Sequence, residues 1–145
     1  MRILIDADGC PVVDIAVRLS REYKVQCVIF CDTSHVFEKE GAKTVTVSKG
    51  ADSVDFALVN ALCCGDIVIT QDYGLAAMCL ARNAFPVNQD GLIYNKDNID
   101  ALLLSRHTAR KIRNSGGRLR GNAKRNPAQD TVFEEKLREL IKRGL

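Results

Sequence analysis

Short apolar runs that end in polar residues alternate along this chain with stretches of helical spacing. Residues 2–6 (RILID) predict a first strand, and residues 11–23 a helix. Pro11 stands in that helix's first turn, and Val12, Ile15, Ala16 and Leu19 form its apolar stripe. The run Val25-Gln-Cys-Val-Ile-Phe-Cys31 is nearly all apolar, as in a parallel strand buried on both faces. Asp32 to Gly41 reads as a polar connector, and Thr44 to Val47 as a third strand rich in β-branched residues. A turn at residues 48–51 leads into a helix over 52–63. Residues 67–70 predict a fourth strand, 74–82 a helix and 85–88 a short strand. Asp90 to Tyr94 predicts a turn and a minor strand. A helix over 98–115 follows, in which Ile99, Leu102, Leu103 and Ile112 are positioned to pack. Asn114 to Pro127 is a glycine-rich polar loop. An amphipathic helix over 131–143 closes the pattern, with Val132, Phe133, Leu137, Leu140 and Ile141 as its apolar set.

Strands alternating with helices through short connections predict a three-layer α/β/α domain of Rossmann-like form, with a mostly parallel central sheet. At 145 residues one domain is expected: residues 1–113 as the α/β unit, and residues 114–145 as a basic loop and helix packing on it. In such sheets ligands bind beyond the carboxyl ends of the strands. Asp6 and Asp8 follow the first strand and Asp72 follows the fourth, so all three belong at that edge. Asp66 precedes the fourth strand; six residues at about 3.3 Å each put it roughly 20 Å away, as a turn residue.

Charge changes this picture in one respect. Residues 1–105 carry 9 Lys and Arg against 14 Asp and Glu, a net of −5, whereas residues 106–145 carry 12 against 4, a net of +8. Eight basic residues and no acid lie between Arg106 and Arg125. An acidic body with a basic tail suits a polyanionic partner held beside a cation site, although a solvated arm has the same composition. The candidates for backbone phosphate contact are Arg106, Arg110, Lys111, Arg113, Arg118 and Arg120. Six cysteines lack a CxxC pair, which fits core thiols in a reducing, cytoplasmic setting better than zinc ligands. No apolar run approaches the roughly 20 residues that cross a bilayer, and the acidic opening residues predict no secretory leader.

The candidate chemistry lies in carboxylates. A buried strand ending in Asp6-Ala-Asp8 sets two acids close together, where each resists ionisation unless a cation compensates. Carboxylate oxygens are the donors Mg²⁺ and Mn²⁺ prefer. The bland alternative is a solvated turn whose aspartates cap the following helix. Asp52 and Asp55 stand i, i+3 at the start of the second helix; they belong either to the same edge or to ordinary first-turn capping. His35 and His107 are isolated and read as surface or cap residues, and Ser48 and Lys49 suit phosphate contact and turn chemistry equally well.

Asp6-Ala-Asp8-Gly-Cys-Pro11, Gly50-Ala-Asp52-Ser-Val-Asp55 and Gly65-Asp-Ile-Val-Ile-Thr-Gln-Asp72 with Leu75-Ala76 resemble the bacterial YaiI/YqxD family. The likeness continues through Tyr94, Ile99, Arg106, Gly116-Gly117 and the last helix. That family is similar to PIN domains, compact α/β folds whose acidic cluster binds Mg²⁺ or Mn²⁺ and often cleaves RNA. The resemblance therefore implies Asp6, Asp8, Asp52, Asp55 and Asp72 as metal residues, with Asp6, Asp8, Asp55 and Asp72 catalytic in phosphodiester hydrolysis. Gly9, Ser53-Val54 and Gly121-Asn122 depart from the commoner residues of that pattern without removing a carboxylate. Two other expectations stand beside this one. One is a non-catalytic RNA- or protein-binding module of the same fold. The other is a haloacid-dehalogenase-like phosphatase with Asp6 as nucleophile, against which Cys10 and the early position of Asp66 both count.

Overall fold

A computed structural model describes residues 1–35, 38–50, 52–116 and 124–145. Five strands alternate with the first helices: β1 (Arg2–Asp6), α1 (Val13–Glu22), β2 (Gln26–Asp32), β3 (Lys43–Val47), α2 (Ser53–Ala61), β4 (Ile67–Ile69), α3 (Tyr73–Ala81) and β5 (Phe85–Val87). Two helices complete the chain, α4 (Ile99–Asn114) and α5 (Pro127–Gly144). The strands form one sheet in the order β3-β2-β1-β4-β5, and every pairing is parallel. The expected minor strand is a single antiparallel bridge, Val87 to Ile93.

Strand periodicity sorts the core into two layers. Ile3, Ile5, Cys27, Ile29, Ile67 and Ile69 face α1 and α5, whereas Leu4, Val28, Phe30 and Val68 face α2 and α3. On α5, Phe133, Leu137, Leu140 and Ile141 recur at helical spacing and are all buried in the first layer. Ile99, Leu102 and Leu103 dock the first two turns of α4 on α3 and Tyr94.

Several local expectations are corrected. Pro11 precedes α1 rather than opening it, because the helix starts after Val12, which makes no side-chain cap. Helix α5 begins at Pro127, four residues before the expected start. Asn126 and Gln129 form a reciprocal capping box there, with proline at the first position. Val132 and Ile112 are exposed rather than packed. Val132 lies beside the buried stripe of α5 rather than on it, and Ile112 lies where α4 has run past α3. Cys27, Cys31 and Cys79 are buried thiols as expected, but Cys63 and Cys64 are exposed after α2.

Asp66 sits in the turn before β4, at the edge opposite the strand carboxyl ends, and is 2% exposed. Its carboxylate accepts hydrogen bonds from the Arg2 backbone N–H (3.0 Å), Arg2 Nη2 (2.7 Å) and the Cys63 N–H (2.9 Å). It is thus a turn residue that also ties the first residues of β1 to the end of α2.

Candidate functional site

The strand order reverses between β1 and β4. The chain winds outward from β1 through β2 to β3, then returns to the other side of β1. A crevice opens beyond the carboxyl ends at such a reversal. Here it is an open cavity of about 390 Å³ lined by Asp6, Asp8, Asp32, Asp52, Asp55 and Asp72, with Gln71, Tyr73 and Arg106 among its other walls. All five predicted carboxylates therefore reach one space. Among the described residues, six aspartates face it against a single arginine.

Asp6 is the last residue of β1, and Ile5 pairs with Ile69 of β4, so Asp6 lies beside Thr70. The buried Thr70 hydroxyl donates to Asp6 Oδ2 (2.9 Å) and accepts from the Asp72 N–H (3.0 Å). Tyr94 donates its hydroxyl to the Thr70 carbonyl (3.2 Å), fixing this segment from beneath. Asp72 caps α3 through Leu75 N–H (3.1 Å) and faces Arg106 Nη1 at 3.5 Å. Gln71 Nε2 donates to the Gly9 carbonyl (2.8 Å), joining the two loops that carry Asp8 and Asp72.

The capping alternative fails for Asp6 and Asp8, because α1 takes no side-chain cap. Asp52 does occupy the position before α2, yet its side chain accepts no cap bond and its backbone is left-handed (φ +61°). Aspartate tolerates that conformation better than most residues. Asp55 lies in the first turn of the same helix, half-buried.

Asp32 was missed by the sequence reading, which placed it in a connector. It is the last residue of β2, and its Oδ1 accepts from Ser34 N–H (2.8 Å) and His35 N–H (3.2 Å). The signal was available, since β2 ends in aspartate as β1 does. Of the predicted basic residues, Arg106 alone lines the cavity among the described residues; Arg110, Lys111 and Arg113 are exposed farther along α4. Arg118 and Arg120 lie outside the described residues. Arg125 leaves the basic pool, because Asp90 (2.8 Å) and Asp130 (2.7 Å) neutralise it.

Among the described residues the site is short of positive charge. Burial raises the pKa of Asp6; the Thr70 hydroxyl opposes this, and Asp72 and Asp8 add repulsion. Asp55 is pushed up to about 6, first by burial and then by Asp72, Asp6 and Asp52, with Arg106 opposing. Burial lifts the Cys10 thiol to about 11, so it is no thiolate nucleophile at neutral pH. The donor set is all oxygen and overloaded with negative charge, which fits Mg²⁺ or Mn²⁺ in kind. Among the described residues no three His, Cys, Asp or Glu side chains converge tightly enough to enclose an ion.

A pH dependence follows. The folded-state pKa of Asp55 lies above its usual 3.8, so the folded protein holds the proton more tightly than the unfolded chain does. Stability without metal is expected to fall as pH rises from about 3.8 to about 6. Solvent screening of this half-exposed group reduces the effect to about 1 kcal/mol. Urea denaturation across that range, in chelator, should show the decline in the wild type and a flatter profile for Asp55→Asn. Equal profiles would rule out the shift.

A family model described as "Uncharacterized BCR, YaiI/YqxD family" matches residues 4–143. A UPF0178 protein of Exiguobacterium sibiricum is 51% identical over 97% of this chain and 96% of its own length. The chain is 46% identical to a UPF0178 protein of Ruminiclostridium cellulolyticum over 98% of this chain and 93% of that one. A UPF0178 protein of Clostridium acetobutylicum is 43% identical over 99% of each. No solved structure matches the chain.

Proposed function

We propose that this chain, which belongs to the YaiI/YqxD family, is a Mg²⁺- or Mn²⁺-dependent phosphodiesterase that hydrolyses nucleic acid, RNA foremost. One observation supports the reading: among the described residues, six aspartates and one arginine face an open cavity at the reversal of strand order.

Asp6, Asp8, Asp52, Asp55 and Asp72 would hold the ion, directly or through water. When bound, the ion supplies a water of lowered pKa and offsets charge on the phosphoryl oxygens. The residues do the rest. Thr70 keeps Asp6 and the Asp72 backbone in fixed relation, so the two acids that end β1 and follow β4 act from rigid positions. Asp55, pushed up to about 6 by burial and by the neighbouring carboxylates, is ionised at neutral pH and so available to the cation. Arg106 offers its guanidinium to a phosphate oxygen, exchanging the 3.5 Å contact with Asp72 for a charge-assisted bond to substrate.

The test is cleavage of end-labelled single-stranded RNA, beside DNA of the same sequence, in Mn²⁺, Mg²⁺ and chelator. Cleavage with either metal and none in chelator is the expected result. RNA that binds but survives every divalent ion would reject hydrolysis and make this fold a binding module.

A further inference from the structure

Helix α4 has two unlike halves. Through its first two turns Ile99, Leu102 and Leu103 pack on α3 and Tyr94. From Leu104 onward every described side chain of the helix is exposed except Ala109, which is half-buried. The face that packs does not end there; it changes character. Arg106, Arg110 and Arg113 continue it at i, i+4 and i+7, within about 60° of one another around the axis. Lys111 lies about 140° around the helix from Arg106. Arg106 meets the cavity at Asp72, so the next two arginines lead away from the carboxylates on the same side, over about 10 Å. Neither has an ion-pair partner among the described residues, in contrast to Arg125 and Arg138, which are spent on carboxylates of the body.

We infer that Arg106, Arg110 and Arg113 form a one-sided phosphate track for a single strand of nucleic acid running out of the aspartate cavity along α4. The inference rests on the reading of the cavity as a phosphodiester site. Three guanidiniums on one line of an exposed helix contact successive phosphates of one flexible strand. A duplex presents a stiff, curved backbone to that line, whereas a single strand can adjust its phosphates to all three guanidiniums. Contacts of this kind carry no base information, so the track sets position and strandedness rather than sequence. Lys111, on another face, is outside it.

The test separates binding from chemistry. Full-length Asp6→Asn protein, in chelator, is titrated with a short fluorescein-labelled oligouridylate, its deoxy counterpart and a labelled duplex, at a series of salt concentrations. Each arginine on the track is expected to contribute about 0.7 to the slope of log affinity against log salt. Arg110→Gln with Arg113→Gln should therefore flatten the slope by about 1.4, whereas Lys111→Gln leaves it unchanged. An equal loss from Lys111→Gln would show diffuse attraction instead of a track. Duplex bound as tightly as single strand would also overturn the inference. RNA and DNA bound alike support a phosphate track, and RNA bound better adds a 2′-hydroxyl contact to it. Intact slopes in a wild-type protein that cleaves nothing would reject the hydrolytic reading and keep the track.

Discussion

Asp6→Asn and Asp72→Asn are each expected to lower metal-dependent cleavage by a hundred- to about a thousandfold, the scale seen when one charge-stabilising group leaves an active site. Both changes keep the shape of the side chain, and both leave an oxygen able to accept the neighbouring hydrogen bonds from Thr70 and Leu75. What they remove is negative charge at the reversal between β1 and β4. The control is stability, and its sign is worked out from Asp6. Its folded pKa is raised above the unfolded value, so ionisation opposes folding once the pH passes the usual carboxylate range. Without metal at neutral pH, Asp6→Asn should be at least as stable as the wild type. Added Mn²⁺ should raise the melting temperature of the wild type and leave the variant where it was. A variant that unfolds early without metal, or that keeps full cleavage, would sink the assignment.

The second large effect lies at the other end of the sheet. Asp66→Ala is expected to destabilise the fold by about 3 kcal/mol, the low end for breaking a buried ion pair by removing one partner. The carboxylate is 2% exposed and satisfies two backbone N–H groups as well as the Arg2 guanidinium. Its loss strands the N–H groups of Arg2 and Cys63 at the start of the central strand. Arg2 keeps the Ala61 carbonyl at 2.6 Å and is partly exposed, which holds the cost to the lower figure. Urea denaturation measures this directly, and a loss below about 1 kcal/mol would show that water replaces the carboxylate. Cleavage per folded molecule should not change, since Asp66 stands at the far edge from the cavity.

The sequence by itself determined the elements and two ends of the site. Apolar runs such as ILI and VIF and the stripe on α1 are local patterns, and their periods of two and of about 3.6 are written in consecutive residues. Asp6 and Asp72 were legible for the same reason, as polar residues ending runs that a parallel sheet must bury. Asp8 follows the same strand as Asp6, Asp52 and Asp55 open a helix entered from the same edge, and the fold brings all five to one cavity. Strand order, by contrast, belongs to tertiary structure. The arrangement β3-β2-β1-β4-β5 puts β4 beside β1 and so brings Thr70 to Asp6, 64 residues away in the chain. The same arrangement draws Asp32 into the site, a residue that a connector reading had set aside. Helix propensity could not tell a capping Asp52 from one facing a cavity; its left-handed backbone and uncapped side chain decide that. Nor does composition say which charges are free. Arg125 and Arg138 are consumed by carboxylates that only packing brings near, whereas Arg110 and Arg113 stay exposed because α4 outruns the helix beneath it. Periodicity is a property of neighbours in sequence, and charge pairing a property of neighbours in space.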